Sequence, residues 1–226
     1  MAPTWLTVLA WTYISVCLSC AAIIAYDIFV TGRRQPMAVM NAIFPITALY
    51  FGPLAAAFYW RWGRTGRAAA MTSAQPRPWW VVMATEVSHC GSGCALGDVI
   101  SEFAIFALAL TVAGATLGAE YIGDYLLALA LGIAFQYFAI APMRGLGVRD
   151  GLKAAAKADF ISLTFFEVGL FAWMAVMAFV LFPAPHHLTP SSAAFWFLMQ
   201  VGMMIGFATS WPANVWLVRR GIKVPM

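Results

Sequence analysis

Residues 5–31, WLTVLAWTYISVCLSCAAIIAYDIFVT, carry a single formal charge, Asp27. An uninterrupted apolar run of this length is what a helix needs to cross a hydrocarbon core about 30 Å thick, for which about 20 residues suffice. Further runs lie at about 37–60, 98–118, 123–142, 159–182 and 193–217. Composition agrees: 63% of the chain is hydrophobic and 10% charged, whereas soluble domains carry about 25% charged residues. Residues 1–226 are therefore expected to form a single polytopic domain, an all-α integral membrane protein with about six transmembrane helices. The N-terminus lacks the basic region of a secretory signal. The Leu of CLSC stands one place too close to the Cys for lipoprotein cleavage, so 5–31 is expected to be a retained span. No repeat of 20–50 residues is evident.

The net charge of +4 follows topology rather than nucleic-acid binding. With six spans, the loop 61–78 (Arg61, Arg64, Arg67, Arg77), the connector 143–158 (Arg144, Arg149, Lys153, Lys157) and the tail (Arg219, Arg220, Lys223) share one side, leaving Arg33 and Arg34 on the other. The excess of Lys and Arg on cytoplasmic loops then places both termini in the cytoplasm. Trp60, Trp62, Trp79 and Trp80 flank the basic loop as an interfacial belt. GAEYIGDY, residues 118–125, reads as a turn, which puts Glu120 and Asp124 outside with His186 and His187. Pro45 and Pro53 are expected to kink the second span.

Residues 79–118 are too long for one crossing, since forty helical residues would reach about 60 Å. An interfacial or re-entrant helix at 79–90, a glycine-rich break at 91–97 and a span from about 98 resolve this, giving a broken segment over 79–97. Within it lies SHCGSGCALGDVISE. On one straight helix, Glu86, Cys90, Cys94, Asp98 and Glu102 would drift by about 40° per step and could not face one site. A break at Gly91 and Gly93 would let His89, Cys90 and Cys94 converge. Thiolate and imidazole suit copper(I), zinc or iron, and ionisable groups inside a membrane are costly and usually functional. The expected metal set is His89, Cys90, Cys94, Asp98, Glu102 and Glu167, the last lying in DFISLTFFEVGLF at a depth similar to Glu102 and Gln136. Asp98, after Gly97, also reads as a helix cap, and Asp159 as the cap of the fifth span.

Secondary candidates are Cys17, Cys20 and Asp27 on one face of the first span, with Gln136 and Asp159. Packing explains the Cys17/Cys20 pair better than metal binding does, and Asp27 has Arg33 and Arg34 nearby as partners. The methionines of the last span read as core filler.

SHCGSGCALGDVISEF, QYFAIAPMRGLG and KADFISLTFFEVGLF together resemble the signature blocks of an uncharacterised bacterial membrane family, a domain-of-unknown-function family, over residues 80–182. The resemblance implies a small polytopic protein and groups the His, Cys and acidic residues above. It carries no established reaction, although some members are associated with copper handling.

The expected function is binding and moving a transition metal ion across the bilayer, copper before zinc or iron. The alternatives are a membrane thiol or metal redox enzyme and a membrane assembly or metal-delivery subunit. A homo-oligomer or a metal-handling protein is the expected partner besides lipid. No hydrolase motif, P-loop or dinucleotide fingerprint of useful specificity is evident, so an ATP-driven pump in this chain alone is not expected.

Overall fold

A computed structural model of the chain describes residues 2–64 and 77–223, excepting the side chains of 142–144. Seven α-helices are described: α1 (Thr4–Phe29), α2 (Met40–Phe51), α3 (Pro53–Phe58), α4 (Trp79–Leu108), α5 (Thr116–Arg144), α6 (Val148–Val176) and α7 (Ala193–Arg219). A π-helical turn follows α3 at Tyr59–Gly63, and another follows α6 at Met177–Leu181. No strand occurs among the described residues. Within the same residues, five helices are long and apolar enough to cross a membrane: α1, α4, α5, α6 with its π turn, and α7. Many of their outward side chains are large and apolar, among them Trp5, Leu18, Phe103, Leu126, Phe138, Phe160 and Phe179. Water would not tolerate so much exposed apolar surface, whereas lipid requires it.

The predicted second span, 37–60, is instead a hairpin of two short helices. Pro45 sits inside α2 without ending it. The break comes at Gly52, whose φ of +52° and ψ of −121° lie outside both helical regions, a conformation open to glycine. Pro53 then opens α3 at a position where its missing N–H is harmless. The chain returns antiparallel to α2: the Phe44 and Tyr59 rings meet at 5.2 Å, and Gln35 Nε2 donates to the Gly63 carbonyl at 2.8 Å. On a straight helix, residues 44 and 59 would be about 22 Å apart. The tip lies against Cys17, whose Sγ would stand 2.9 Å from a Cβ on Gly52. The hairpin therefore reaches only midway along α1 before turning back.

The predicted break at 79–97 is absent. α4 runs unbroken from Trp79 to Leu108, about 45 Å at 1.5 Å per residue, and SHCGSGCALGD lies wholly inside it. Glycines cost a helix about 1 kcal/mol each relative to alanine, so something must offset Gly91, Gly93 and Gly97. That something is packing on all sides: residues 85–95 of α4 are all buried, against α2, α5, α6 and α7. The spacing Gly93-x-x-x-Gly97 is the small-residue seam that lets two helices approach closely in lipid. A Cβ on Gly93 would lie 2.7 Å from Gly132 Cα, and one on Gly97 2.5 Å from Ala128 N. Gly123 meets the Ser101 side chain on the same seam. These contacts fix α4 and α5 as an antiparallel pair in one continuous register.

GAEYIGDY is helix, not turn. α5 begins at Thr116, and the reversal is made upstream, where Ala109 and Ala113 have positive φ and Val112 pairs with Ala115. The connector after α5 is short, so α6 begins at Val148, ahead of the predicted 159.

Because the hairpin turns back, α1 ends, the hairpin mouth, the start of α4, the α5–α6 junction and the end of α7 all gather at one end of the bundle. Trp62 and Trp80 touch there at 4.7 Å between ring centroids, and Lys223 meets Glu86. Every described lysine and arginine lies in a segment at this basic end, Arg33 and Arg34 included. Most of the polar loop 61–78, with Arg67, falls outside the described residues.

Candidate functional site

The residues singled out in α4 do not converge on a point. They form a lane. Helical drift turns successive four-residue steps toward different neighbours, and α4 has neighbours on every side to receive them. At the basic end, Lys223 Nζ lies 3.4 Å from Glu86 Oε2. One turn inward, His89 faces the Phe135 backbone of α5. Cys90 lies beside Asp159 of α6. Cys94 lies beside both Cys90 and Glu167, with Asp98 close to it. Asp98 in turn senses Glu167, Asp124 and Glu102, and Glu102 sits beside Asp124 and Glu120 of α5. From Glu86 to Glu102 the lane follows about 24 Å of α4.

α5 and α6 shape it through small residues. A Cβ on Gly132 would lie 2.6 Å from Asp159 Oδ2, so the carboxylate of Asp159 occupies the space that glycine leaves. A Cβ on Gly91 would lie 2.8 Å from the Tyr50 hydroxyl, so the tip of the hairpin leans on α4 between the two cysteines' turns. Beyond Glu102 the lane opens toward a cavity of about 440 Å³ lined by Glu120, Met174, Met177 and His187.

Burial of these groups is complete and their bonding is not. Asp98, Asp124 and Asp159 are 0% exposed, and Glu102 and Glu167 1%. None of their carboxylate oxygens makes a hydrogen bond of ordinary geometry, nor does either ring nitrogen of His89 or the side-chain amide of Gln136. The carboxylates' polar neighbours are thiols, a hydroxyl and one another: Ser101 and Glu102 beside Asp124, Cys90 beside Asp159 and Cys94 beside Glu167. Most buried polar side-chain atoms in folded proteins are bonded, and leaving one unbonded costs about 1–3 kcal/mol or more for a charged group. Ionisable groups inside a membrane are rare and usually mark a site, and here they line the junction of α4, α5 and α6.

Lys223 lies outside the spans, just past α7. Its fully buried ammonium is pulled toward the neutral form by desolvation, and the carboxylates of Glu86 and Asp159 outweigh this, so it titrates above the usual lysine range. It also donates to Asn214 Oδ1 at 2.9 Å. Asn214 Nδ2 in turn donates to Ser162 Oγ at 2.6 Å and Ser210 Oγ at 2.9 Å.

Several sequence expectations change here. Asp98 is not a cap, since it lies in the interior of α4. Asp159 is not one either, because α6 begins eleven residues earlier, at Val148. Gln136 is level with His89, because the seam pairs Gly93 with Gly132 and Gly97 with Ala128. It is therefore about 20 Å along α4 from Glu102 rather than at its depth. His89 faces α5 while Cys90 faces α6, so the two do not act as adjacent ligands. Among the described residues, no three His, Cys, Asp or Glu side chains come together in a group able to hold a metal ion. All four cysteines are free.

In α1, Cys17 packs against the hairpin tip, while Asp27 accepts from Tyr59 OH at 2.9 Å and from Arg64 Nη2 at 2.9 Å and Nε at 3.1 Å. Arg33 adds an ion pair at 3.6 Å.

Asp124, Glu120 and Lys223 were not among the sequence candidates. The i, i+4 spacing of Glu120 and Asp124 was the available signal, hidden by reading their glycines as a turn. Nothing in the sequence pointed to Lys223, which looks like one more tail cation.

Long apolar helices, an apolar exterior and a buried ionisable interior are the features of a polytopic α-helical membrane bundle. Residues 79–223 match the family model described as Domain of unknown function (DUF4396), and the chain belongs to that family. The match begins at the start of α4 and ends at Lys223, so it takes in the whole lane and leaves out α1 and the hairpin. No curated protein and no solved structure matches the chain.

Proposed function

We propose that this is an integral protein of the bacterial cytoplasmic membrane that translocates a cation along the α4 lane, with protons passed among Glu167, Asp98, Asp124 and Glu102. The observation that carries this reading is the unbroken series of buried carboxylates that make no hydrogen bond of ordinary geometry. Acids that only hold helices together are bonded, as Asp27 is. Acids that take up and release protons or cations must have coordination to spare. The basic end faces the cytoplasm by the excess of Lys and Arg on that side. Five crossings then put the Thr4 end of α1 on the opposite face, in place of the expectation of two cytoplasmic ends.

A second reading concerns the cargo. Cys90 and Cys94 are neighbours one helical turn apart, and paired thiols favour a soft ion, copper(I) before zinc or iron. In that case the thiol pair is a station for the metal and the acids carry the compensating protons.

Purified protein in vesicles holding a pH-sensitive dye tests both readings, with a potassium diffusion potential as driving force. Wild-type protein is expected to move protons, and Glu167→Gln and Asp98→Asn to lower the rate at least tenfold. A flux that appears only with copper(I), and is lost in Cys90→Ser/Cys94→Ser, assigns the metal as cargo. Wild-type vesicles no leakier than protein-free ones, with or without copper(I), would contradict the proposal.

A further inference from the structure

The basic end of the lane ends in a cage that already holds a cation. Lys223 is the one lysine or arginine among the described residues that is buried, against six buried acids of α4, α5 and α6: Glu86, Asp98, Glu102, Asp124, Asp159 and Glu167. Its position is built, not incidental. α7 ends at Arg219, and Gly221 takes a φ of +67°, a left-handed turn that glycine allows. The turn carries the tail back so that the Lys223 N–H bonds the Leu217 carbonyl at 3.3 Å. The side chain then runs inward, and its ammonium meets the Asn214 amide oxygen at 2.9 Å and Glu86 Oε2 at 3.4 Å.

Asn214 is oriented by its other contacts. Its amide nitrogen is committed to Ser162 and Ser210, which turns the oxygen toward the cage. Ser210 Oγ in turn donates to the Ser162 carbonyl at 3.0 Å. The charge of Lys223 is felt at Asp159 and at His89, so the cage is electrostatically continuous with the lane. One anionic and one neutral oxygen, set around a fully buried ammonium, suit a monovalent cation of the ammonium kind.

We propose that the Glu86–Asn214 cage is the cytoplasmic cation station of the lane and that Lys223 occupies it as a tethered occupant, closing that end. This rests on the translocation reading for the meaning of "station", but occupancy of the cage can be tested without any transport.

The test is alkylation of Cys90, the nearest lane thiol, by N-ethylmaleimide in the purified full-length protein, read by mass spectrometry at that peptide. Wild-type Cys90 is expected to react slowly. Lys223→Ala removes the tethered ammonium and is expected to raise the rate at least tenfold. n-Propylammonium, which replaces the lost end of the side chain, is expected to restore protection. Tetramethylammonium, which donates no hydrogen bond, is not. Adding Glu86→Gln to Lys223→Ala is expected to abolish the rescue.

An unchanged rate in Lys223→Ala, or equal protection by the two ammonium ions, would overturn the proposal. Should Lys223→Ala fail to fold, Glu86→Gln alone is expected to raise labelling at least threefold, and an unchanged rate there overturns it as well. Because labelling reads the cage, a protein that moves no protons in vesicles can still pass this test, and one that does can fail it.

Discussion

Two parts of the molecule hold buried acids and treat them in opposite ways. Asp27, where α1 meets the hairpin mouth, has every oxygen engaged: Tyr59, Arg64 and Arg33 surround it. Asp98, Asp124, Asp159, Glu102 and Glu167, between α4, α5 and α6, are at least as buried and make no hydrogen bond of ordinary geometry. Asp27 shows what this chain does when an acid is there to hold structure: it supplies arginines and a phenol. The central lane shows helices brought together by glycine and alanine, with the acids left to one another. Structural cohesion there comes from the seam, and the acids are left free to change protonation or ligation.

The sharpest way to break this contrast is to attack the seam. Gly97→Leu would drive a side chain into the Ala128 backbone, which a single Cβ already approaches to 2.5 Å. Backbone cannot yield as a side-chain tip can, so loss of monodisperse folded protein is expected, measured by size-exclusion chromatography with fluorescence detection. Folded protein at wild-type yield would mean that α4 and α5 do not pack as described.

The next effect in size separates function from fold. Glu167→Gln keeps volume and removes an uncompensated buried charge. Burying a charge without a partner is costly, so removing it does not by itself weaken the fold. Thermal stability within a few degrees of wild type, or above it, is expected together with at least a tenfold loss of proton flux. A large drop in melting temperature would instead make Glu167 a structural acid like Asp27.

Asp27→Asn should show the converse. It keeps the shape and loses charge-assisted bonds worth about 1.5–3 kcal/mol. A melting temperature lower by about 5 °C follows for a chain of this size, with flux per folded molecule retained.

The smallest effect concerns the hairpin. Gly52→Ala forces a side chain into a backbone conformation of positive φ, costing about 1–2 kcal/mol, and into Cys17 Sγ at 2.9 Å. A melting temperature lower by about 3 °C is expected, along with faster maleimide labelling of Cys17 as the tip loosens.

The same contrast explains what could be read from the sequence. Apolar runs located α1 and α7 within a few residues, because length and composition are enough for a span, but they missed the starts of α4, α5 and α6, whose N-terminal parts carry polar residues. The two glycine-containing segments were read the wrong way round. Pro53 reads as a kink in a span, yet with Gly52 before it this is the tip of a hairpin. Gly91, Gly93 and Gly97 looked like a break and are a helix seam. A glycine's meaning depends on what approaches it, and the backbone of α5 cannot be seen in the sequence of α4.

The candidate residues divide for a similar reason. Cys90, Cys94, Asp98, Glu102 and Glu167 could be singled out because cysteine and charge are conspicuous in an apolar run. Asp124 was lost because the helix containing it was read as a turn. Lys223 was lost because only the turn at Gly221 carries it inward.

Most direct as a test of the lane is proton flux measured side by side in vesicles for Asp98→Asn, Glu167→Gln and Asp27→Asn, each normalised to folded protein. The expected result is a loss of at least tenfold in the first two and wild-type flux in the third. Equal flux in all three, or equal loss in all three, would mean that the unbonded acids of α4 and α6 differ from Asp27 in their surroundings but not in what they do.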